Sequence, residues 1–185
     1  VLIMNILNTP LEGVKIVEPD VFADSRGYFF ESYNREKMIK AGIENDFLQD
    51  NESLSSYGVI RGLHYQLEPF SQAKLVRVIS GSVFDVAVDL RKNSPTFGKW
   101  FGIELTGENK LQLYIPKGFA HGFSVLSPAT VFSYKCDNLY NKAAERAIRF
   151  NDPALNIDWM ISVAQQIVSD KDLLAPLFSE ADINF

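Results

Sequence analysis

The stretch Ser82-Val83-Phe84-Asp85-Val86-Ala87-Val88-Asp89-Leu90 constrains the fold more than any other part of the chain. Side chains in a strand alternate between faces, so Phe84, Val86, Val88 and Leu90 share one face while Val83, Asp85, Ala87 and Asp89 share the other. One face is wholly apolar and the other mixes small apolar groups with two carboxylates, which predicts a strand lying between two different environments. Similar β-rich runs recur at 14–18, 28–33, 59–65, 74–79, 100–105, 111–115, 123–126 and 131–136, parted by Ser-Gly, Asn-Ser-Pro-Thr, Gly-Glu-Asn and Pro-Lys-Gly clusters. Many short strands at this spacing predict a mainly β sandwich or barrel. Helix is scarce. Asn34 is placed to cap a short helix over 35–41, with Gly42 just past its end, and a second helix is expected over 161–168. Neither alternates with strands as βαβ units do, so a doubly wound parallel sheet is disfavoured. With no repeat, low-complexity tract or linker, residues 1–185 read as one domain, with 1–3 an expected extension before Met4 and about 160–185 a tail packed on the barrel.

Composition narrows the function classes. A net charge of −5 argues against non-specific binding to nucleic acid or to a membrane surface, while leaving room for a local basic pocket. The single cysteine, Cys136, excludes an internal disulfide framework and any site built on several thiolates. No apolar run approaches the roughly 20 residues that span a bilayer, and the start lacks a charged region ahead of a long apolar core, so a cytoplasmic location is expected.

The chain has only two histidines, each beside glycine in a strand-like run: Arg61-Gly62-Leu63-His64-Tyr65 and Phe119-Ala120-His121-Gly122-Phe123. Histidine exchanges protons near neutral pH, and a neighbouring glycine allows close approach of backbone or ligand. Each also fits a hydrogen-bonded core histidine. A metal site of the kind found in β-barrels needs three or four converging ligands, and two histidines this far apart do not supply them. No Gly-x-Ser-x-Gly elbow or phosphate-cradling glycine loop is present, and Cys136 reads as core. General acid/base chemistry remains: proton abstraction beside a carbonyl needs a base, a group that holds the enolate oxygen, and an acid on the opposite face. His64, Lys74 and a tyrosine suit those roles. Tyr134 shares a face with Phe132 and Cys136, so packing alone accounts for it equally well.

Eight ordered segments then point to a family. They are Asp24-Ser25-Arg26-Gly27-Tyr28-Phe29-Phe30-Glu31, Gln49-Asp50-Asn51, Val59-Ile60-Arg61-Gly62-Leu63-His64-Tyr65-Gln66, Lys74-Leu75-Val76-Arg77-Val78, Val83 through Arg91, Ser94-Pro95-Thr96-Phe97-Gly98, Ile115 through Phe123, and Asp152-Pro153-Ala154-Leu155. Across nearly its whole length the chain resembles the dTDP-4-dehydrorhamnose 3,5-epimerases. The resemblance implies a cupin-like jelly-roll sandwich or barrel with a few short helices, a homodimer in which strands are exchanged, and no cofactor or metal. It implies inversion of C3 and C5 of a dTDP-4-keto-6-deoxy sugar, a step toward dTDP-L-rhamnose.

By motif position, His64 resembles the base, Tyr134 the acid of the other face, and Lys74 the residue beside the developing enolate. Asp172 resembles the carboxylate that pairs with the histidine, with Asp170 a competitor by sequence. Arg26, Glu31, Gln49, Asp50, Asn51 and Arg61 match positions that hold nucleotide and sugar, and Arg26 is expected to reach the partner's site. His121 resembles a substrate ligand, Tyr140 the ring stacked on thymine, and Glu145 and Lys171 further binding positions. Asp85 reads as a hydrogen-bonding partner near the site, and Phe29, Phe30, Phe119 and Phe123 as mostly core. The chain departs from the family pattern at Ala73, Leu139 and Met160. Alternative readings are a single-carbon epimerase or ketoisomerase on another dTDP-4-keto sugar, a non-catalytic sugar-nucleotide binder, and a metal cupin.

Overall fold

In the computed structural model, which describes residues 4–185, the alternating runs become two packed sheets; the expected extension at 1–3 lies outside the described residues. The first sheet runs, in spatial order, β1 (Met4–Asn8), β2 (Lys15–Pro19), β10 (Gln112–Ile115), β7 (Lys74–Ser80), β12 (Ala129–Cys136) and β5 (Gln49–Ser56). The second runs β13 (Glu145–Ala147), β6 (Val59–Gln66), β11 (Phe119–Val125), β8 (Ser82–Asp89) and β9 (Trp100–Thr106). The short β14 (Ile167–Val168) adds to β6 in parallel, against antiparallel pairing elsewhere. The mainly β jelly-roll expectation holds. No described helix is long and apolar enough to cross a membrane.

The strand with two environments behaves as its pattern predicts. Val83 and Ala87 enter the core between the sheets, with Val76, Val78, Leu113 and Phe132 of the first sheet. Val86, Val88 and Leu90 face the other way, into a second core closed by Ile148, Phe150, Trp159 and Ile183, with Phe178 and Phe185 packed on it. The segment after Trp159 therefore roofs the outer face of the second sheet, and Tyr65 donates its hydroxyl proton to the Asp182 carbonyl at 2.7 Å. A third cluster seats Met38 of α1 (Arg35–Lys40) against Val17, Leu75 and Tyr114. Asn34 caps that helix by accepting from the Lys37 amide, as expected.

Three expectations change. The helix over 161–168 is replaced by one 3-10 turn, Val163–Gln165, followed by β14. Its amides are claimed elsewhere: Ile167 donates to the Gly58 carbonyl at 2.8 Å, and Val163, 85% exposed, belongs to no apolar stripe that would seat a helix. The run at 28–33 shortens to β4 (Gly27–Phe30), which pairs only with β3 (Val21–Asp24) in a separate hairpin. With no second layer above it, Phe29 is 63% exposed rather than core. β5, an edge strand of sequence QDNESLSS, escaped detection because only Ser55 of its side chains is buried, and a strand exposed in this way carries no apolar alternation.

Asp89 ties down the turn between β8 and β9. Its fully buried carboxylate accepts from the Arg91 amide and guanidinium, Ser94 and Thr96, at 2.6–3.0 Å. Burial pushes its pKa up, but these donors outweigh it and hold the group at about 2, against an ordinary 3.8. A depressed folded-state pKa stabilises the fold above the unfolded value and is lost as pH falls through the folded one, which here amounts to about 2 kcal/mol. Asp89→Asn is therefore expected to unfold in urea about 2 kcal/mol more easily near neutral pH, with the deficit shrinking near pH 2. An equal deficit at both pH values would contradict this account of the turn.

Candidate active site

Regular alternation would send Arg61 and His64, three residues apart, to opposite faces of β6. Both nevertheless line one cavity between the sheets. The reason is a bulge: His64 pairs with His121 and Arg61 with Phe123, so three residues on β6 span two on β11. Gly62 carries the break at φ +121, and a Cβ there would lie 2.6 Å from the Gly122 Cα and 2.7 Å from the His121 carbonyl oxygen. Only glycine admits that approach. Ile60 and Leu63 keep their places in the outer core on either side of the break.

His64 presents Nε2 to Asp172 Oδ1 at 2.7 Å, and this carboxylate is 3% exposed. Asp172 sits in α2 (Asp170–Leu173), whose cap Ser169 accepts from the Asp172 amide, and its second oxygen accepts from the Gly62 amide at 3.4 Å. Asp170 is exposed, so burial separates the two candidate carboxylates. Burial raises the Asp172 pKa, but the His64 hydrogen bond and charge, together with the Gly62 and Ser169 contacts, bring it below the ordinary range. An ionised Asp172 only accepts, so Nε2 carries hydrogen and Nδ1 of His64 is left with the basic lone pair.

The first sheet faces this pair with Lys74 of β7 and Tyr134 of β12. The Lys74 ammonium lies 5.8 Å from the Tyr134 ring centroid. Burial lowers its pKa, partly offset by Cys136, Asp85 and Glu145. Burial also raises the Tyr134 phenol, helped by Cys136 and opposed by Arg61, so the hydroxyl keeps its proton at neutral pH. Cys136 is core, as expected, with its thiol pushed up by burial to about 11. Base and acid candidates thus project from opposite sheets into one cavity of about 420 Å³, which Asp50, Asn51, Arg61, His121 and Phe123 help to line.

A second lobe of about 180 Å³ shares His64, Lys74 and Tyr134 and extends toward Gln49, Tyr140 and Glu145. Here Lys171 pairs with Glu145 at 2.7 Å and Tyr140 donates to the same carboxylate at 3.1 Å. Gln49 accepts from the Tyr140 amide and donates to Asn51, while Arg61 donates to Ser55 at 3.1 Å. Gln66 is a residue that the sequence reading passed over. Buried in β6, it donates to the carbonyls of Phe70 and Leu139 and accepts from the Asn141 amide, so it anchors the loop that carries Tyr140. A polar amide at the end of a strand rich in apolar residues was the available signal.

Three expected binders stand differently. Arg26 lies at the tip of the β3–β4 hairpin, 88% exposed and paired with Asp24 at 2.6 Å. Glu31 is paired with Lys37 at 2.9 Å. Neither reaches the cavity within one chain. Asp50 reaches its rim but is held by Lys135 at 2.8 Å. Among the described residues, no group of three or more His, Cys, Asp or Glu side chains is placed to hold a metal ion.

The sequence model of the family described as dTDP-4-dehydrorhamnose 3,5-epimerase matches residues 8–180. A Shigella flexneri protein of that name is 53% identical over 180 residues, covering 97% of this chain and 98% of its own. The crystal structure of the enzyme from Elizabethkingia anophelis NUHP1 superposes with a TM-score of 0.92 at 57% identity, covering 96% of this chain and 97% of that one. A Legionella pneumophila dTDP-6-deoxy-D-glucose-3,5-epimerase, solved in complex with dTDP-4-keto-L-rhamnose, gives 0.93 at 50% identity, covering 97% and 95%. With the match spanning both lobes of the cavity and the residues that line them, the chain belongs to the dTDP-4-dehydrorhamnose 3,5-epimerase family.

Proposed function

We propose that this chain converts dTDP-4-dehydro-6-deoxy-D-glucose to dTDP-4-dehydro-L-rhamnose by inverting C3 and C5. The observation that carries the reading is the opposition of a carboxylate-held histidine on one sheet to a protonated tyrosine on the other, across one cavity with a second lobe beside it. His64 Nδ1 removes the proton from a carbon beside the 4-ketone, and the electron pair moves onto the ketone oxygen as an enolate. Asp172 stabilises the imidazolium that forms. Lys74 balances the enolate charge, which is absent from the ground state, so its ammonium lowers the barrier rather than merely binding substrate. Tyr134 returns a proton to the opposite face, which inverts the centre. Once the imidazolium has released its proton to solvent and the Tyr134 phenolate has regained one, repetition at the second carbon completes the double inversion, and the second lobe holds the nucleotide with Tyr140, Gln49, Glu145 and Lys171.

The exposed hairpin supports a second part of the proposal: two copies associate. Val21, Phe22, Tyr28 and Phe29 are 43–63% exposed on it, and β5 ends the first sheet with an unpaired outer edge among the described residues. An open edge and an apolar hairpin suit strand addition between copies, which would carry Arg26 to the partner's cavity. Sedimentation at micromolar concentration is expected to give a dimer, and a monomer would overturn this part.

A variant series tests the chemistry. His64→Asn is expected to lower kcat about 10³-fold with KM changed only a few-fold, because it removes the base and leaves the binding groups. Tyr134→Phe, run in deuterated water, is expected to keep exchanging substrate hydrogen for deuterium while inversion falls. Lys74→Met, which removes an ammonium that burial already disfavours, is expected to lose turnover without losing stability. Full turnover in His64→Asn would sink the assigned base.

A further inference from the structure

His121 forms a second histidine–carboxylate pair for which the proton-transfer scheme has no use. Its ring lines the cavity beside His64, on the neighbouring strand of the same sheet, stacked against Phe132 at 6.1 Å between centroids, and its Nε2 lies 2.9 Å from Asp85 Oδ2. Asp85 comes from the inward face of β8, directly behind β11, and is 0% exposed. Its other oxygen, Oδ1, is buried without any hydrogen-bond partner. Buried carboxylate oxygens are nearly always satisfied, and exceptions call for an explanation. Half-satisfied, the carboxylate directs its acceptor strength at one donor, the ring nitrogen.

Burial drives the His121 pKa down, and Lys74 and His64 add to this against the pull of Asp85, so the ring is neutral near pH 7. A neutral imidazole bears one hydrogen, and a carboxylate at Nε2 claims it, leaving Nδ1 as the remaining polar atom. Among the described residues nothing else bonds to the ring. A ring held this way accepts and never donates toward the cavity. It matches a sugar hydroxyl, which has a proton to give, and repels a ketone oxygen, which does not. Lys74, a donor only, has the reverse preference.

We propose that Asp85 is a positioning residue: by fixing the Nε2–H tautomer of His121 it makes the cavity wall an acceptor for a sugar hydroxyl and so sets which way round the hexose sits, ketone toward Lys74. This rests on the reading of the cavity as a keto-sugar site, but the tautomer is measurable without substrate. The chain's two histidines make the measurement tractable. With ¹⁵N-labelled histidine, long-range proton–nitrogen correlation spectra of the free wild-type protein are expected to show His121 with Nε2–H and a bare Nδ1. Asp85→Asn, whose amide donates to Nε2, is expected to shift the ring toward Nδ1–H. It is also expected to raise KM for the 4-keto sugar at least ten-fold while leaving the Kd for dTDP alone within two-fold. A wild-type ring in the Nδ1–H or imidazolium form overturns the proposal, whether or not the variant folds. So does an Asp85→Asn enzyme with an unchanged sugar KM. A wild type with the expected tautomer but no activity on the keto sugar would instead strike the substrate assignment.

Discussion

The cavity depends on one backbone contact, the approach of Gly62 to Gly122 where β6 meets β11. A methyl group on either glycine would collide with the opposite main chain, at 2.6–2.7 Å. Because the contact is that close, β6 takes up an extra residue there, and its side chains change sides. Upstream of the break Arg61 faces inward, and downstream His64 does. The amide of Gly62 also meets Asp172, so the same irregularity that turns His64 into the cavity helps to hold the carboxylate that orients it. A regular strand pair would place either the guanidinium or the imidazole in the cavity, not both.

Around this point the sandwich supplies an environment that neither sheet offers alone. The second sheet brings imidazoles backed by buried carboxylates, and the first brings an ammonium and a phenol that burial leaves short of water. Low local polarity strengthens each charge interaction in the cavity and raises the penalty for an unpaired one. The Lys74 ammonium, with no carboxylate in hydrogen-bond reach among the described residues, is in need of a negative partner, and an enolate oxygen would provide one. The neighbouring Cys136 thiol, held near 11, stays protonated and does not compete with His64, the proposed base.

Legibility followed burial. β8 could be read residue by residue because both of its faces are covered, each by a core of different composition. α1 could be read because its cap and its stop are local features. β5 and the β3–β4 hairpin were hidden because an edge strand or a lone hairpin has no buried face to impose a pattern, and the expected helix over 161–168 gave way because the strand beside it claimed its amides. The same logic divides the site. His64 and Lys74 lie in strongly marked segments, and resemblance assigned roles to them and, outside those segments, to Tyr134 and Asp172. The choice of Asp172 over Asp170 needed the fold, since the hydrogen bond to His64, burial and the Ser169 cap separate them. Asp85 was legible as a hydrogen-bonding partner near the site, but its pairing with His121 and its orphan oxygen needed the fold. Gln66 went unread because its work is done through backbone atoms of a loop far along the chain.

The central claim is that one histidine removes protons from both carbons flanking the ketone, and solvent isotope incorporation tests it most directly. The wild-type protein would be mixed with dTDP-4-dehydro-6-deoxy-D-glucose in deuterated water, with C3 and C5 followed by NMR. Deuterium entering at both carbons as the L-sugar accumulates is the predicted result. Incorporation at a single carbon, or a product formed without deuterium, would contradict it.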